Sequence, residues 1–493
     1  MSNTNLNTLD ASQGIVFTNA ATNSECGFAV FNAGDVNNDG YDDVVMGAPQ
    51  SNIAYVVYGS ASMGTTTSID LSNMSASQGY TITSSVMPTD AKFGASVAGA
   101  GDVNGDGFDD VIIGTAKYGR CVVYGGASLK STIDCTGAIN VSEGFIITDA
   151  AGPVGGGGDV NNDGFDDVIM GYPSNNTAHV VYGGPALKTV SLSSMSAADG
   201  FTIIPGSGVD QAVEFGAAVA NAGDVNGDGF ADVIIGSAGF GGVVIFGGAS
   251  LGSQVNCAYL TIESGLTISG DAGSVGSAGD MNNDGFDDVI MGSPFSNTAY
   301  VIYGGVPSDS TLILDTLTKS QGLIVMSSIS PFYVKFGVSV SGAGDVNNDG
   351  FDDVIMGTAG YGACVVYGGG SLGASVDCVS PEDMNSNAGY VITGSAGTVS
   401  GGGDVNKDGF ADVVLGSPFA NSDNGQVYVL YGAVSPSSYE SNSNVMSNAA
   451  IAGVSVASVV VVAIVIYGVF AYVKTMWPFR RNPLLKNNIG SNA

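Results

Sequence analysis

Cationic side chains, histidine and tryptophan are nearly missing from this chain. Of 493 residues only 12 are Lys or Arg, His179 is the single histidine and Trp477 the single tryptophan. One histidine cannot build a two-histidine metal site or supply several general bases, so those kinds of centre are excluded. The 45 acids and the formal charge of −33 repel phosphate, and nucleic acid is not an expected partner. Charged residues amount to only 12%, and mean hydropathy is +0.28, so the chain is not a disordered acidic tail. Glycine is abundant at 76 residues but keeps no triplet period, which excludes collagen.

What the chain does contain is one phrase seven times over. It runs Asp35-Val-Asn-Asn-Asp-Gly-Tyr-Asp-Asp43 and returns from Asp102, Asp159, Asp224, Asp280, Asp345 and Asp404. The steps are 67, 57, 65, 56, 65 and 59 residues, a period that marks an array of equivalent supersecondary units. Long and short steps alternate, so the duplicated unit was a pair of repeats.

Within a repeat the apolar pattern reads as strands. A β-branched run follows each Asp-rich loop (Val44 to Gly47), then a second (Ala54 to Gly59), a third (Gly79 to Thr83), and a fourth leading into the next loop (Phe93 to Ala98). Short runs bounded by Gly, Ser and Asn are strands rather than helices. Four strands in each of seven units predict an all-β, seven-bladed β-propeller over residues 1–432. The last repeat stops at Tyr431-Gly432 without its final strand, and Leu9 to Thr18 resembles the missing piece. The N-terminal strand is therefore expected to complete the last blade and close the ring, hiding sheet edges.

The repeated phrase has the donor spacing of a calcium loop. Position 1 is Asp35, Asp102, Asp159, Asp224, Asp280, Asp345 and Asp404; position 3 is Asn37, Asn104, Asn161, Asn226, Asn282, Asn347 and Asn406. Position 5 is Asp39, Asp106, Asp163, Asp228, Asp284, Asp349 and Asp408, and Gly follows at the sharp turn. The backbone carbonyl of position 7 (Tyr41, Phe108, Phe165, Phe230, Phe286, Phe351, Phe410) would add a donor. Position 9 (Asp43, Asp110, Asp167, Asp232, Asp288, Asp353, Asp412) would complete a Ca²⁺ shell. Position 8 reads as free, being Asp in five copies and Ala in two (Ala231, Ala411). Position 12 is apolar (Met46, for example), so this is not an EF-hand. Metal-free Asx-turns are the alternative, but turns do not require four oxygen donors at fixed alternating places in every copy. The loops hold 26 of the 45 acids, and up to seven Ca²⁺ would bring −33 to −19. Such ions would be structural, each coupled to the folding of its blade.

By these loops and the motifs that flank them, the chain resembles the FG-GAP repeat family, the propeller of integrin α-subunits. FG stands at Phe93-Gly94, Phe215-Gly216 and Phe336-Gly337, nine residues before the loop. GAP is intact at Gly47-Ala48-Pro49, with relatives at Gly171-Tyr-Pro173, Gly292-Ser-Pro294 and Gly416-Ser-Pro418. The departures alternate. Blades 2, 4 and 6 keep FG and lose the Pro, blades 3, 5 and 7 do the reverse, and blade 1 has Cys26-Gly27 in the FG slot. The resemblance implies an extracellular adhesion or recognition module; a protein or glycan ligand and no enzymatic activity are expected. His179 falls where blades 1 and 5 have Tyr55 and Tyr300, and reads as a strand residue.

Ala449 to Val473 is uncharged over 25 residues, long enough to cross a bilayer as a transmembrane helix. Residues 433–448 form the linker before it. The short tail, 474–493, contains Lys474, Arg480, Arg481 and Lys486 and no acid, which predicts a cytoplasmic tail and an external propeller. Tyr472 and Trp477 fit the interface. No signal peptide is visible at the N-terminus, so a tail-anchored protein with a cytosolic scaffold propeller is the rival topology. A lectin on the same propeller is the rival function. The linker leaves no room for leg domains and the tail lacks Gly-Phe-Phe-Lys-Arg, which argues against pairing with an integrin β-like subunit. Cys121 and Cys135, and likewise Cys364 and Cys378, are 14 apart in sequence in blades 2 and 6. They are expected to form intrablade disulfides, with Cys26 and Cys257 free. Sequons occur at Asn73, Asn140 and Asn175.

Overall fold

A computed structural model describes residues 4–432, apart from 20, 85–90, 136–138, 150–151, 206–213, 238–240, 272, 306–308, 328–334, 371, 379–383 and 385–387. The linker, the expected transmembrane helix at 449–473 and the basic tail lie outside the described residues. Among those described, no helix is long and apolar enough to cross a membrane.

Seven sheets form the expected propeller. In blade 1, Ala29–Gly34, Asp43–Ala48, Ile53–Val57 and Gly79–Thr83 pair antiparallel in chain order. The second strand is buried at all six positions, because it has a neighbouring strand on each side and a neighbouring blade on each face. That is why it reads as an unbroken apolar run rather than an alternation. Seven apolar clusters, one per seam between adjacent blades, make up the core.

The count of four strands per blade needs correction: each sheet has five. The fifth is a strand of two or three residues donated by the following blade. Thr132–Asp134, which precedes the outer strand of blade 2, adds in parallel to Gly79–Thr83 of blade 1. Gln254–Asn256 does the same for blade 3 and Ser375–Asp377 for blade 5. The exchange occupies hydrogen-bonding groups that an outer strand would otherwise leave open.

The ring closes as expected. Gly14–Thr18 pairs antiparallel with Gln426–Leu430 and becomes the outer strand of blade 7. Ahead of it, Thr4–Asn5 supplies the fifth strand of blade 6.

Both expected disulfides are present, with Cα–Cα distances of 6.1 and 6.2 Å, and Cys26 and Cys257 are free. Their description as intrablade changes in meaning. Cys121 lies in the third strand of blade 2, but Cys135 directly follows the strand donated to blade 1, and its N–H donates to the Thr83 carbonyl. Cys378 donates likewise to Met326 of blade 5. Each bond therefore rivets an exchanged strand to the blade that donates it.

The alternating FG and GAP motifs are two halves of one contact. A Cβ on Gly47 would lie 1.9 Å from the Gly94 carbonyl oxygen, so both residues must be as small as they are. Gly171 meets Gly216, Gly292 meets Gly337 and Gly416 meets Gly27 in the same way. Beside this contact, Asn52 accepts from the Phe93 N–H at 2.9 Å, as Asn176 does from Phe215 and Asn297 from Phe336. An odd blade thus needs only the Gly-x-Pro half and an even blade only the FG half.

Candidate metal centres

Each Asp-rich loop joins the first strand of a blade to its second. A bulge ends the first strand at Gly34 and its six counterparts, and the loop begins there. The loop then folds onto the side chain of position 1. One oxygen of Asp35 accepts from the Asp39 N–H at 2.9 Å and the other from Gly40 at 2.7 Å. The same pair of bonds recurs in the other six loops at 2.8–3.0 Å. Gly40 sits at φ +87, a conformation that side chains rarely tolerate, which explains its invariance among the copies.

Position 9 does a different job. Asp43 and its six counterparts are 0% exposed. One oxygen of Asp43 accepts from Val36 N–H at 3.0 Å and the other from Gly59 at 2.8 Å, so the carboxylate ties the loop to the end of the third strand. All seven copies repeat this, from Asp110 with Val103 and Gly125 to Asp412 with Val405 and Gly432. Burial raises the Asp43 carboxyl to about 8; the two N–H donors oppose this, and Asp39 and Asp35 add to it. Asp232 is raised to about 7 for the same reasons.

Position 8 is not free. The Asp109 carboxylate of blade 2 reaches back to blade 1 and accepts from the Asp35 N–H at 2.8 Å. Asp166, Asp287, Asp352 and Asp42 hold Asp102, Asp224, Asp280 and Asp404 across their seams at 2.7–2.9 Å. The carboxylate fills the space a Cβ would need at Gly34, where it would lie 2.2 Å from Asp109 Oδ2. At the two seams with Ala231 and Ala411, the methyl group takes that space and no carboxylate bridges. At the closing seam, Lys407 adds a cation over the Tyr41 ring, 5.2 Å from its centre.

The structure therefore brings positions 1, 3 and 5 of every loop together, with position 7 next to them and position 9 behind. In five loops the Asn at position 3 joins position 1 on the same N–H, as Asn37 does on Asp39 at 2.9 Å. In blades 2 and 6 it does not, and Asn104 Oδ1 and Asn347 Oδ1 are buried with no partner. A buried acceptor without a donor leaves room for a water or an ion as its partner. Counted on carboxylates, imidazoles and thiols alone, no group of three or more converges to hold a metal among the described residues. The loops' own amides take up the acidic oxygens.

The FG-GAP repeat profile matches residues 29–62, 93–128, 215–253, 272–306 and 396–430. Each match contains one Asp-rich loop with its flanking strands. Five of the chain's seven blades match the FG-GAP repeat, as in integrin α-like propellers. Among curated proteins, this FG-GAP propeller is 28% identical to integrin alpha-5 of Xenopus laevis over 264 residues, covering 49% of this chain and 23% of that protein. It is 28% identical to integrin alpha-V of Gallus gallus over 283 residues, covering 52% and 26%. A phosphatidylinositol-glycan-specific phospholipase D of Bos taurus is 29% identical over 191 residues, covering 35% and 21%. The matched part is about a quarter of the length of these relatives.

Proposed function

We propose that this chain is a single-pass membrane protein whose calcium-stabilised propeller recognises a protein or glycan ligand outside the cell, without enzymatic activity. The observation that carries this reading is the seven identical donor sets on an integrin α-like propeller. In each loop the Asp at positions 1 and 5, the Asn at 3, the carbonyl of 7 and the Asp at 9 would hold one Ca²⁺. The ion would supply the positive charge that three or four clustered carboxylates otherwise lack. The chain's own part is to pre-shape the loop through position 1, anchor it through position 9 and couple neighbouring loops through position 8.

Three features favour an external propeller. The disulfides belong to an oxidising compartment. The sequon residues Asn73, Asn140 and Asn175 are all exposed. Loops without a side-chain ligand at position 12 suit millimolar rather than cytosolic calcium. We place residues 449–473 across the membrane and 474–493 inside, from the basic flank.

Chelation tests the calcium half. Excess chelator should lower the melting temperature substantially, and calcium should restore it; identical melting in both would refute structural calcium. Protease added to intact cells should remove an N-terminal tag and spare a C-terminal one. The opposite pattern would end the extracellular reading.

A further inference from the structure

At six of the seven seams, one position near the hairpin end of the third strands joins a small residue to Cys, Val or Tyr. Ala54 shares an apolar cluster with Cys121, Ala299 with Cys364 and Val427 with Tyr55. Between blades 2 and 3 the same two positions are Arg120 and His179, the chain's single histidine. Arg120 is 1% exposed and His179 7%. The seam around them is apolar, built from Val122, Ile147, Val154, Met170 and Val181.

This pair has cationic capacity, and no acid among the described residues bears on it. Arg120 Nη2 donates to the Gly171 carbonyl across the seam, while Nε and Nη1 have no partner. The His179 ring nitrogens each meet a hydroxyl, Thr177 at Nε2 and Thr202 at Nδ1, both at 3.1 Å. The charged group that bears on the imidazole is Arg120; Tyr172 is the titratable group that bears on Arg120. The seam also lacks the tight glycine contact of its neighbours: a Cβ on Gly114 would stand 3.0 Å from the Gly152 carbonyl, against 1.9 Å at Gly47.

We propose that the seam between blades 2 and 3 is an acid-sensitive joint, loosened when His179 is protonated beside the uncompensated Arg120 guanidinium. A second positive charge there has no carboxylate among the described residues to meet and little solvent to relieve it. Burial first, and Arg120 second, push the His179 ring down to about 4. Its ordinary value is near 6.5, so above that pH the ring is neutral whether the seam is closed or open. Below it the open seam binds a proton that the closed seam refuses, and stability is lost as pH falls toward 4.

A single histidine makes the test clean. In the full-length chain, the His179 Cε1–H signal should titrate near pH 4, and Arg120→Ala, the residue of blades 1, 3, 5 and 6, should move it toward 6.5. Amide exchange over Arg120–Val123 and Thr177–Val181, corrected for intrinsic rates, should rise about twentyfold from pH 7 to pH 5. It should stay flat in His179→Tyr, the residue of blades 1, 5 and 7, and over Ala363–Val366 in the wild type. A wild-type midpoint near 6.5 would overturn the proposal. So would an equal exchange rise in His179→Tyr, or the same rise at every seam. The wild-type titration and His179→Tyr decide the matter even where Arg120→Ala fails to fold.

Discussion

Replacing Asp109 with Ala tests whether position 8 couples one blade to the next. The carboxylate lies in a half-buried seam, and its bond to the Asp35 N–H is charge-assisted at 2.8 Å. Losing such a bond while leaving a partly buried N–H unpaired costs about 1.5–3 kcal/mol. Part of that is returned, because Asp109 is raised by burial and by Asp42, Asp35 and Asp102, and its removal relieves their repulsion. The net expected loss is about 1–2 kcal/mol. Spread over more than four hundred residues, this moves a melting temperature by only about 1–2 °C. The urea midpoint in saturating calcium is therefore the better assay, with exchange of the Asp35 amide as the local readout. That amide should exchange about tenfold faster in Asp109→Ala, the ratio that 1.4 kcal/mol implies. The converse change, Ala231→Asp, should slow exchange at Asp159. An unchanged urea midpoint together with an equally protected Asp35 amide would show that the bridge contributes nothing.

Three further outcomes follow from the same loops and seams. Removing one disulfide by Cys121→Ser with Cys135→Ser should cost about 3 kcal/mol for a loop of this length, read from urea midpoints without reductant. Unfolded, unreduced chain should expose two reactive thiols, whereas native Cys26 and Cys257, both raised to about 12 by burial, should alkylate slowly. The chelation penalty should depend on pH. A carboxyl raised to about 8 stabilises the metal-free fold fully below its unfolded value near 3.8 and loses that contribution as pH rises through 8. The melting-temperature drop on chelation should therefore be larger at pH 8.5 than at 5.5, measured in parallel scans; a pH-independent drop would contradict it.

Local chemistry was legible in the sequence and cross-blade chemistry was not. Asp, Asn, Asp, Gly and Asp at fixed spacing identify the loop because their partners lie within a few residues. The strands show for the same reason, and the closing strand shows because Leu9 to Thr18 repeats Ile69 to Thr83. Val190–Ser191, the fifth strand of blade 2, is too short to have a periodicity at all. The role of position 8 depends on a partner 74 residues away, and Arg120 meets Gly171 from 51 residues away. A signal for position 8 did exist: Gly precedes position 1 in every copy, at φ between +64 and +75, and something had to occupy the space it leaves.

The seven seams do not share one set of contacts. The FG half meets the Gly-x-Pro half at seams 1/2, 3/4 and 5/6, and Gly27 takes the FG role at 7/1. The position-8 carboxylate bridges 1/2, 2/3, 4/5, 5/6 and 7/1. Seam 3/4 lacks the carboxylate but has the glycine contact, while 2/3 and 4/5 have the reverse. Seam 6/7 has neither, since Ala411 stands at position 8 and blade 7 has no FG. It is this seam that the N-terminal segment spans. Thr4–Asn5 pairs with the outer strand of blade 6, Leu6 enters the 6/7 core, and Gly14–Thr18 forms the outer strand of blade 7. Closure therefore completes the last sheet and gives seam 6/7 the same strand exchange that every other seam has.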